Sequence, residues 1–130
     1  MRIRELELPG LTRLAPMANI SNAPFRLITR ECGSAFSTTE EIDAMALVRG
    51  NPKALHIASS YPGEHPLAMQ LLGADAATLV PAAEMLAERG AEVIDLNMGC
   101  PVRKIVSAGK GAALMRDIPR TARLLRAMRA

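Results

Sequence analysis

The chain has 130 residues and a formal net charge of +3, with 49% hydrophobic and 22% charged residues. This composition is typical of one globular domain and excludes a disordered or collagen-like chain. The charge is uneven, because residues 1–100 contain 8 Lys and Arg against 12 Asp and Glu, whereas residues 101–130 contain 8 against one. Such a basic segment binds phosphate or nucleic acid, or else covers a solvated helix face, and composition leaves both open.

Apolar runs, capping residues and breakers predict four β-strands that alternate with helices. The predicted strands are 11–15, 35–39, 67–72 and 92–97. The predicted helices are 24–32, 42–49, 53–59, a helix capped by Asp75 and ended at Gly90, and a last helix opened by Pro119. A glycine-rich loop is expected over 98–111, and Cys32 is expected to be a small core residue at the end of the first helix.

The spacing of these strands indicates parallel β-strands joined by crossover helices. Their starts are 24, 32 and 25 residues apart, which is long enough for a helix in each connection. Four such units form either a small doubly wound sheet or the first half of an eight-stranded barrel, which needs about 250 residues when complete. Periodicity alone does not separate the two folds.

The cysteine content and the first residues predict a cytoplasmic protein. Cys32 and Cys100 are too few for a disulfide framework. The start MRIRELELPG is charged where a signal peptide has an apolar run, and no stretch reaches the roughly 18 apolar residues of a membrane span. His56 and His65 have no partner at metal-ligand spacing, so we expect no metal and no membrane partner.

Candidate functional residues follow the predicted strands, where parallel α/β folds place their sites. Gln70 interrupts an apolar strand, and its amide needs a partner such as a planar heterocycle or a neighbouring backbone group. Cys100 lies on a turn between Gly99 and Pro101; a free thiol there can donate a proton or, once ionised, act as a nucleophile, and a structural role is equally open.

An acidic cluster follows the second predicted strand. Glu40, Glu41 and Asp43 make up this cluster. Carboxylates at a helix N-terminus favour the helix dipole, and this is the simpler interpretation. Positioning of a substrate hydroxyl is the alternative.

Four segments carry a resemblance to a known family. They are LAPMANISNAPFRLITRECG, TTEEIDAMALVRGNPKAL, HPLAMQLLG and VIDLNMGCPVRKIVSAGKGAALMRD. The last contains Asn-x-Gly-Cys-Pro after a strand, then a basic pair, then Gly-x-Gly-Ala-Ala-Leu, and this order is specific. From about Leu14 onward the chain resembles the amino-terminal half of the tRNA-dihydrouridine synthases.

The resemblance implies an α/β chain that forms about four βα units of a TIM-type (β/α)8 barrel. Residues 1–130 would be a partial FMN-binding domain, with the carboxy-terminal half barrel and a helical tRNA-binding domain absent. The implied reaction reduces uridine in tRNA to 5,6-dihydrouridine with FMN as cofactor and NADPH as reductant. Hydride passes from flavin N5 to C6 of the uracil, and the cysteine of the Gly-Cys-Pro turn protonates C5.

The same resemblance assigns a role to each matching residue. Cys100 is the general acid. The flavin contacts are Pro16, Met17, Ala18 and Gln70. Asn97 faces the flavin and the target base, and the contacts to RNA phosphate or base are Arg103, Lys104 and Lys110.

The sequence departs from the family pattern in its first loop and leaves alternatives open. Asn19, Ser21 and Asn22 stand where the family usually has Gly and Thr-Asp, and Asn19 would adopt an unusual backbone conformation that Asn tolerates. The alternatives are an inactive RNA-binding half barrel and an FMN oxidoreductase of a small molecule. We expect the isolated chain to be inactive and to self-associate through unpaired barrel edges.

Overall fold

Four parallel strands form the central sheet in the computed structural model, which describes residues 2–129. The chain starts with an antiparallel hairpin of β1 (Arg2–Ile3) and β2 (Leu6–Glu7), which the sequence analysis did not predict. The sheet contains β3 (Arg13–Leu14), β4 (Phe36–Asp43), β5 (Leu67–Leu72) and β6 (Val93–Leu96), in this spatial order. The predicted alternation of parallel strands and helices is confirmed.

Helices connect the strands and follow the last one. They are α1 (Ala23–Glu31), α2 (Ala44–Val48), α3 (Pro52–Ile57), α4 (Ala76–Glu88), α5 (Arg103–Ser107), a 3₁₀ helix (Gly111–Arg116) and α6 (Ile118–Arg129). The prediction of a loop over 98–111 was wrong in part, because α5 lies inside it. The five residues of α5 have no side-chain cap, so no capping signal marks this helix in the sequence.

Polar side chains fix where several helices begin. Asn22 accepts a hydrogen bond from the Phe25 N–H at 3.1 Å, and Asp75 accepts one from the Thr78 N–H at 3.0 Å; the cap at Asp75 was predicted. The Asp43 carboxylate caps α2 in the same way. The helix predicted from residue 42 therefore begins two residues later, because β4 continues through Asp43.

The two faces of the sheet have different surroundings. Side chains alternate between faces along a strand, and Leu67, Met69 and Leu71 of β5 belong to the main core cluster with residues of α2, α4 and α6. Ala68 points the other way and packs with Leu8 and Phe36. Gln70 shares the face of Ala68 and lies nearer the carboxyl end of the strand, so this second face changes from apolar to polar along β5.

Cys32 is exposed and the prediction that it belongs to the core was wrong. It follows the last residue of α1, and its N–H donates to the Ile28 carbonyl at 3.0 Å as the helix ends. Gly33 then takes a φ of 97° and turns the chain away. Among the described residues, no helix is long and apolar enough to cross a membrane.

Candidate functional site

A cavity of about 430 Å³ lies at the carboxyl ends of the parallel strands. Five predicted site residues line it, namely Pro16, Ala18, Gln70, Asn97 and Cys100. Its volume is within the range of small-molecule and cofactor sites, about 300–1,000 Å³. Residues that are far apart in sequence therefore meet at one edge of the sheet, as the parallel-strand prediction requires.

The nitrogen and the oxygen of the Asn97 carboxamide both form hydrogen bonds within the chain. Its Nδ2 donates to Glu41 Oε2 at 3.0 Å and to Gln70 Oε1 at 3.1 Å. Its Oδ1 accepts from the backbone N–H groups of Gly99 at 3.1 Å and Cys100 at 3.0 Å. Asn97 thus connects two neighbouring strands to the turn that carries the thiol.

Gln70 is 7% exposed, and two side chains satisfy its amide. Its Nε2 donates to Asp95 Oδ2 at 2.7 Å, and its Oε1 accepts from Asn97. The sequence left a heterocycle or a backbone group as the partner, whereas the partners in the structure are side chains. The register of β5 and β6 places Gln70 directly beside Asp95, and this register is not visible in the sequence.

The network continues from Asp95 to Arg13, and the sequence analysis missed both residues. Arg13 Nη2 lies 3.2 Å from Asp95 Oδ2, and its Nε donates to Thr38 Oγ1 at 2.8 Å. One signal was available, since Asp95 interrupts the apolar run of its strand and lies two residues before Asn97. Residues two apart share a face of a strand.

The Cys100 turn is braced from a second side by the 3₁₀ helix. The Cys100 carbonyl accepts from the Ala112 N–H at 3.0 Å. Gly111 has a φ of 58°, and a Cβ there would lie 2.7 Å from the Cys100 oxygen and 3.1 Å from its Cβ. Only glycine fits this approach, because the conformation and the space both exclude a side chain. Cys100 itself is half-buried.

The first loop is held by polar contacts to its own backbone. Ser21 is fully buried and its Oγ accepts from the Met17 N–H at 2.8 Å. Asn19 has a φ of 61°, as predicted, and its N–H donates to Glu40 Oε2 at 2.5 Å. These bonds keep Pro16 and Ala18 at the cavity wall.

The predicted RNA contacts have different surroundings. Arg103 and Lys104 are exposed on α5, beside the Cys100 turn. Lys110 is half-buried and its Nζ lies 2.5 Å from Asp43 Oδ2. A phosphate contact by Lys110 stays a prediction and would have to compete with Asp43.

Two carboxyl groups near the cavity have shifted pKa values. Burial raises the pKa of Glu41, and the negative charge of Asp43 adds to this effect. For Asp43, burial acts to raise the pKa, but hydrogen bonds from Lys110 and the Ala46 and Met45 backbone, with the charge of Lys110, lower it overall.

No cluster of three or more His, Cys, Asp or Glu side chains that could hold a metal ion occurs between residues 2 and 129. His65 contacts the carboxylate of Glu92, which comes just before β6, and its Nδ1 lies 2.6 Å from Glu92 Oε1.

Comparison with known proteins identifies the family. A family model described as dihydrouridine synthase (Dus) matches residues 13–130. The chain belongs to the dihydrouridine synthase family. The resemblance carried by the Asn-x-Gly-Cys-Pro segment is therefore confirmed, and members of the dihydrouridine synthase family have a TIM-barrel fold.

Curated relatives carry the same family name. A tRNA-dihydrouridine synthase B of Xanthomonas axonopodis pv. citri is 36% identical over 128 residues, which are 98% of this chain and 39% of the relative. One of Pseudomonas aeruginosa is 35% identical over 129 residues, again 98% and 39%. A probable tRNA-dihydrouridine synthase of Rhodobacter capsulatus is 36% identical over 124 residues, or 95% and 38%. The chain spans about two-fifths of the length of these relatives.

Proposed function

We propose that the chain is part of a tRNA-dihydrouridine synthase, which reduces uridine in tRNA to 5,6-dihydrouridine. The observation that carries the proposal is that Cys100 lines the cavity together with Gln70 and Asn97. Family membership supplies the reaction class, and the cavity supplies a place for it at the strand ends, where barrel enzymes hold their sites.

The residues around the cavity fit a flavin. The Gln70 amide lines the cavity, and its bonds to Asp95 and Asn97 leave one N–H and one oxygen lone pair for a ligand. Pro16 and Ala18 of the first loop also line the cavity. A planar ring with donor and acceptor edges matches this set of amide and apolar groups. We therefore propose FMN as the cofactor, which when bound would supply hydride to C6 of the uracil after its own reduction by NADPH.

Cys100 would act as the general acid. A thiol carries a proton that it can give to C5 of the uracil as hydride reaches C6. The added hydride and proton together balance the reduction of the double bond. The fixed backbone of the turn then determines where the thiol meets the base, through the bonds of Asn97 and Ala112.

Arg103 and Lys104 would contact the tRNA. A uridine inside folded RNA must leave its stack to enter a cavity, so the enzyme must hold the neighbouring backbone. The exposed cations of α5 lie directly after the Cys100 turn. Each phosphate that they neutralise releases counterions and strengthens binding.

We also propose that residues 1–130 are the first half of a (β/α)8 barrel. The spatial order of the four strands follows their order in the chain, whereas a doubly wound sheet reverses its order at a switch point. In this arrangement β3 and β6 lie at the sheet edges and expose backbone groups, so the isolated chain would self-associate. Sedimentation velocity tests the expected self-association, and a monomer at micromolar concentration argues against it.

A chimera tests the proposed function. Residues 13–130 replace the matching part of the Pseudomonas aeruginosa relative, and the chimera is expressed in a strain without dihydrouridine synthases. We expect dihydrouridine to reappear in tRNA, as measured by mass spectrometry of nucleosides, and Cys100→Ala to slow its formation. A folded chimera that contains FMN and forms no dihydrouridine would refute the proposal. NADPH oxidation without tRNA would favour a small-molecule oxidoreductase, and salt-dependent tRNA binding without flavin would favour the inactive RNA-binding protein.

A further inference from the structure

Glu41 is half-buried at the cavity and has no role among the predicted site residues. Its Oε2 lies 3.0 Å from Asn97 Nδ2, although the two residues are 56 positions apart in the chain. A carboxylate accepts hydrogen bonds and an amide NH₂ only donates them. Glu41 therefore selects the orientation of Asn97 in which the nitrogen faces β4.

Gln70 selects the same orientation from the opposite side. Asp95 accepts from Gln70 Nε2, which leaves Gln70 Oε1 to face Asn97 Nδ2. Both neighbours of the Asn97 nitrogen are thus acceptors. A rotated amide would instead place its oxygen against two acceptors.

The orientation of Asn97 determines whether the thiol turn is held. With the nitrogen toward Glu41 and Gln70, Asn97 Oδ1 faces the backbone N–H groups of Gly99 and Cys100. A rotated amide would put NH₂ against two N–H donors and leave them without a partner, which costs about 1–3 kcal/mol for a buried group.

We propose that Glu41 and Asn97 are positioning residues that hold the backbone of Cys100 in place, with Gln70 as their support. The inference rests on the proposed function only for the general-acid role of Cys100. It departs from the expected contact of Asn97 with flavin and base, because both ends of the amide are used within the chain.

Interchange of the donor and the acceptor in the hydrogen bond between residues 41 and 97 tests the proposal in the 130-residue chain. In Asn97→Asp, two carboxylates meet where an amide met a carboxylate. We expect the Cys100 amide proton to exchange about tenfold faster by NMR, relative to the core amide of Met69, which is the loss of about one hydrogen bond. In Asn97→Asp with Glu41→Gln, the donor and acceptor are interchanged, and we expect at least half of that change to be reversed.

Glu40→Gln is the matched control for the rescue. Glu40 is the neighbouring carboxylate, but it bonds the Asn19 N–H instead of Asn97. Added to Asn97→Asp, it should leave the fast exchange of the Cys100 amide unchanged. Rescue by Glu40→Gln, or no rescue by Glu41→Gln, would overturn the proposal. If Asn97→Asp does not fold, Glu41→Leu removes one acceptor, and an unchanged Cys100 exchange rate overturns it as well.

This measurement does not depend on catalysis. Loss of dihydrouridine formation in the chimera with a normal exchange pattern would refute the proposed function alone. A normal reaction with no effect at Cys100 from either substitution would refute the positioning role alone.

Discussion

Lys110 Nζ lies 2.5 Å from Asp43 Oδ2, and this ion pair joins residues 67 positions apart. Asp43 also caps α2 through its other oxygen, with a distance of 2.9 Å to the Ala46 nitrogen. One carboxylate therefore connects the end of β4, the start of α2 and the segment that braces the Cys100 turn.

This ion pair predicts how stability depends on pH. The pKa of Asp43 is lowered in the folded chain, so its contribution is present above the unfolded pKa of about 3.9 and is lost as pH falls through the folded pKa. Lys110→Met should lower the free energy of unfolding at pH 7 by about 0.5 kcal/mol, because the pair is partly exposed. Urea unfolding should show that, as pH falls below about 4, the variant loses less stability than the wild type. Lys104→Met, on exposed α5, serves as the control and should keep the wild-type pH profile.

Gly111 predicts a difference between two glycines with similar backbone conformations. Gly109 and Gly111 have φ values of 73° and 58°, but only a Cβ at 111 would meet Cys100. Gly109→Ala should lower the free energy of unfolding by about 1 kcal/mol because of its backbone conformation. Gly111→Ala should lower it by about 1–3 kcal/mol more because of the close contact with Cys100. Urea unfolding measures both changes. Equal losses would show that the contact with Cys100 adds nothing.

The rate of Cys100 alkylation provides a second measurement on the same pair of variants. Because Cys32 is exposed, Cys32→Ser is the necessary background. Displacement of the turn should expose the half-buried thiol, so iodoacetamide should react faster in Gly111→Ala than in Gly109→Ala. The opposite order would contradict the bracing role of the 3₁₀ helix.

Some elements were predictable because local signals agree with the tertiary structure. The strand predicted over 67–72 is β5, a buried apolar run that ends at Gly73, and Asp75 marks α4. The end of β4 was not predictable, because its acidic residues look like the start of the next helix until their partners on neighbouring strands are known. Gln70 and Cys100, which line the cavity, were singled out in the sequence from their positions at or after the ends of predicted strands. The partner of Gln70, Asp95, depends on the register of β5 and β6, which the sequence does not carry.

The proposed general-acid role of Cys100 predicts how fast the chimera forms dihydrouridine when the thiol is removed. Cys100→Ala should lower the rate of dihydrouridine formation at least about 100-fold, which is the usual contribution of a general acid. Flavin content should be unchanged, because the thiol side chain is not among the proposed flavin contacts. Cys32→Ala is the matched control and should react at the wild-type rate. A Cys100→Ala chimera with full activity would remove the catalytic assignment.

The proposed phosphate contacts of Arg103 and Lys104 predict how tRNA binding depends on the salt concentration. Replacement of each by Gln should weaken binding to every tRNA and reduce the slope of log affinity against log salt by about one. Arg126→Gln, on the exposed part of α6, should leave the slope unchanged if the helix arginines are only solvated. Filter binding at several salt concentrations measures the slopes. An equal effect of all three substitutions would indicate diffuse attraction instead of contacts beside the Cys100 turn.

Arg26 and Glu64 form a buried ion pair behind the first loop, with side chains 2% and 0% exposed. Arg26 Nη1 also donates to the Ser21 carbonyl at 3.1 Å, and Ser21 in turn holds Met17. Glu64→Ala should lower the free energy of unfolding by about 3–5 kcal/mol, because Arg26 would keep an uncompensated charge in the core. Urea unfolding measures this change.

The matched control for this pair is on the surface. Arg2 and Glu5 form an ion pair with side chains 61% and 93% exposed, so Glu5→Ala should change stability little. Arg26→Met combined with Glu64→Leu removes both buried charges and should recover much of the lost stability, since an apolar pair of similar size is often as stable as a buried ion pair. If the double variant is no more stable than Glu64→Ala, the hydrogen bond of Arg26 to the Ser21 carbonyl matters more than the charge of Arg26. The first loop should then be the first segment to lose amide protection.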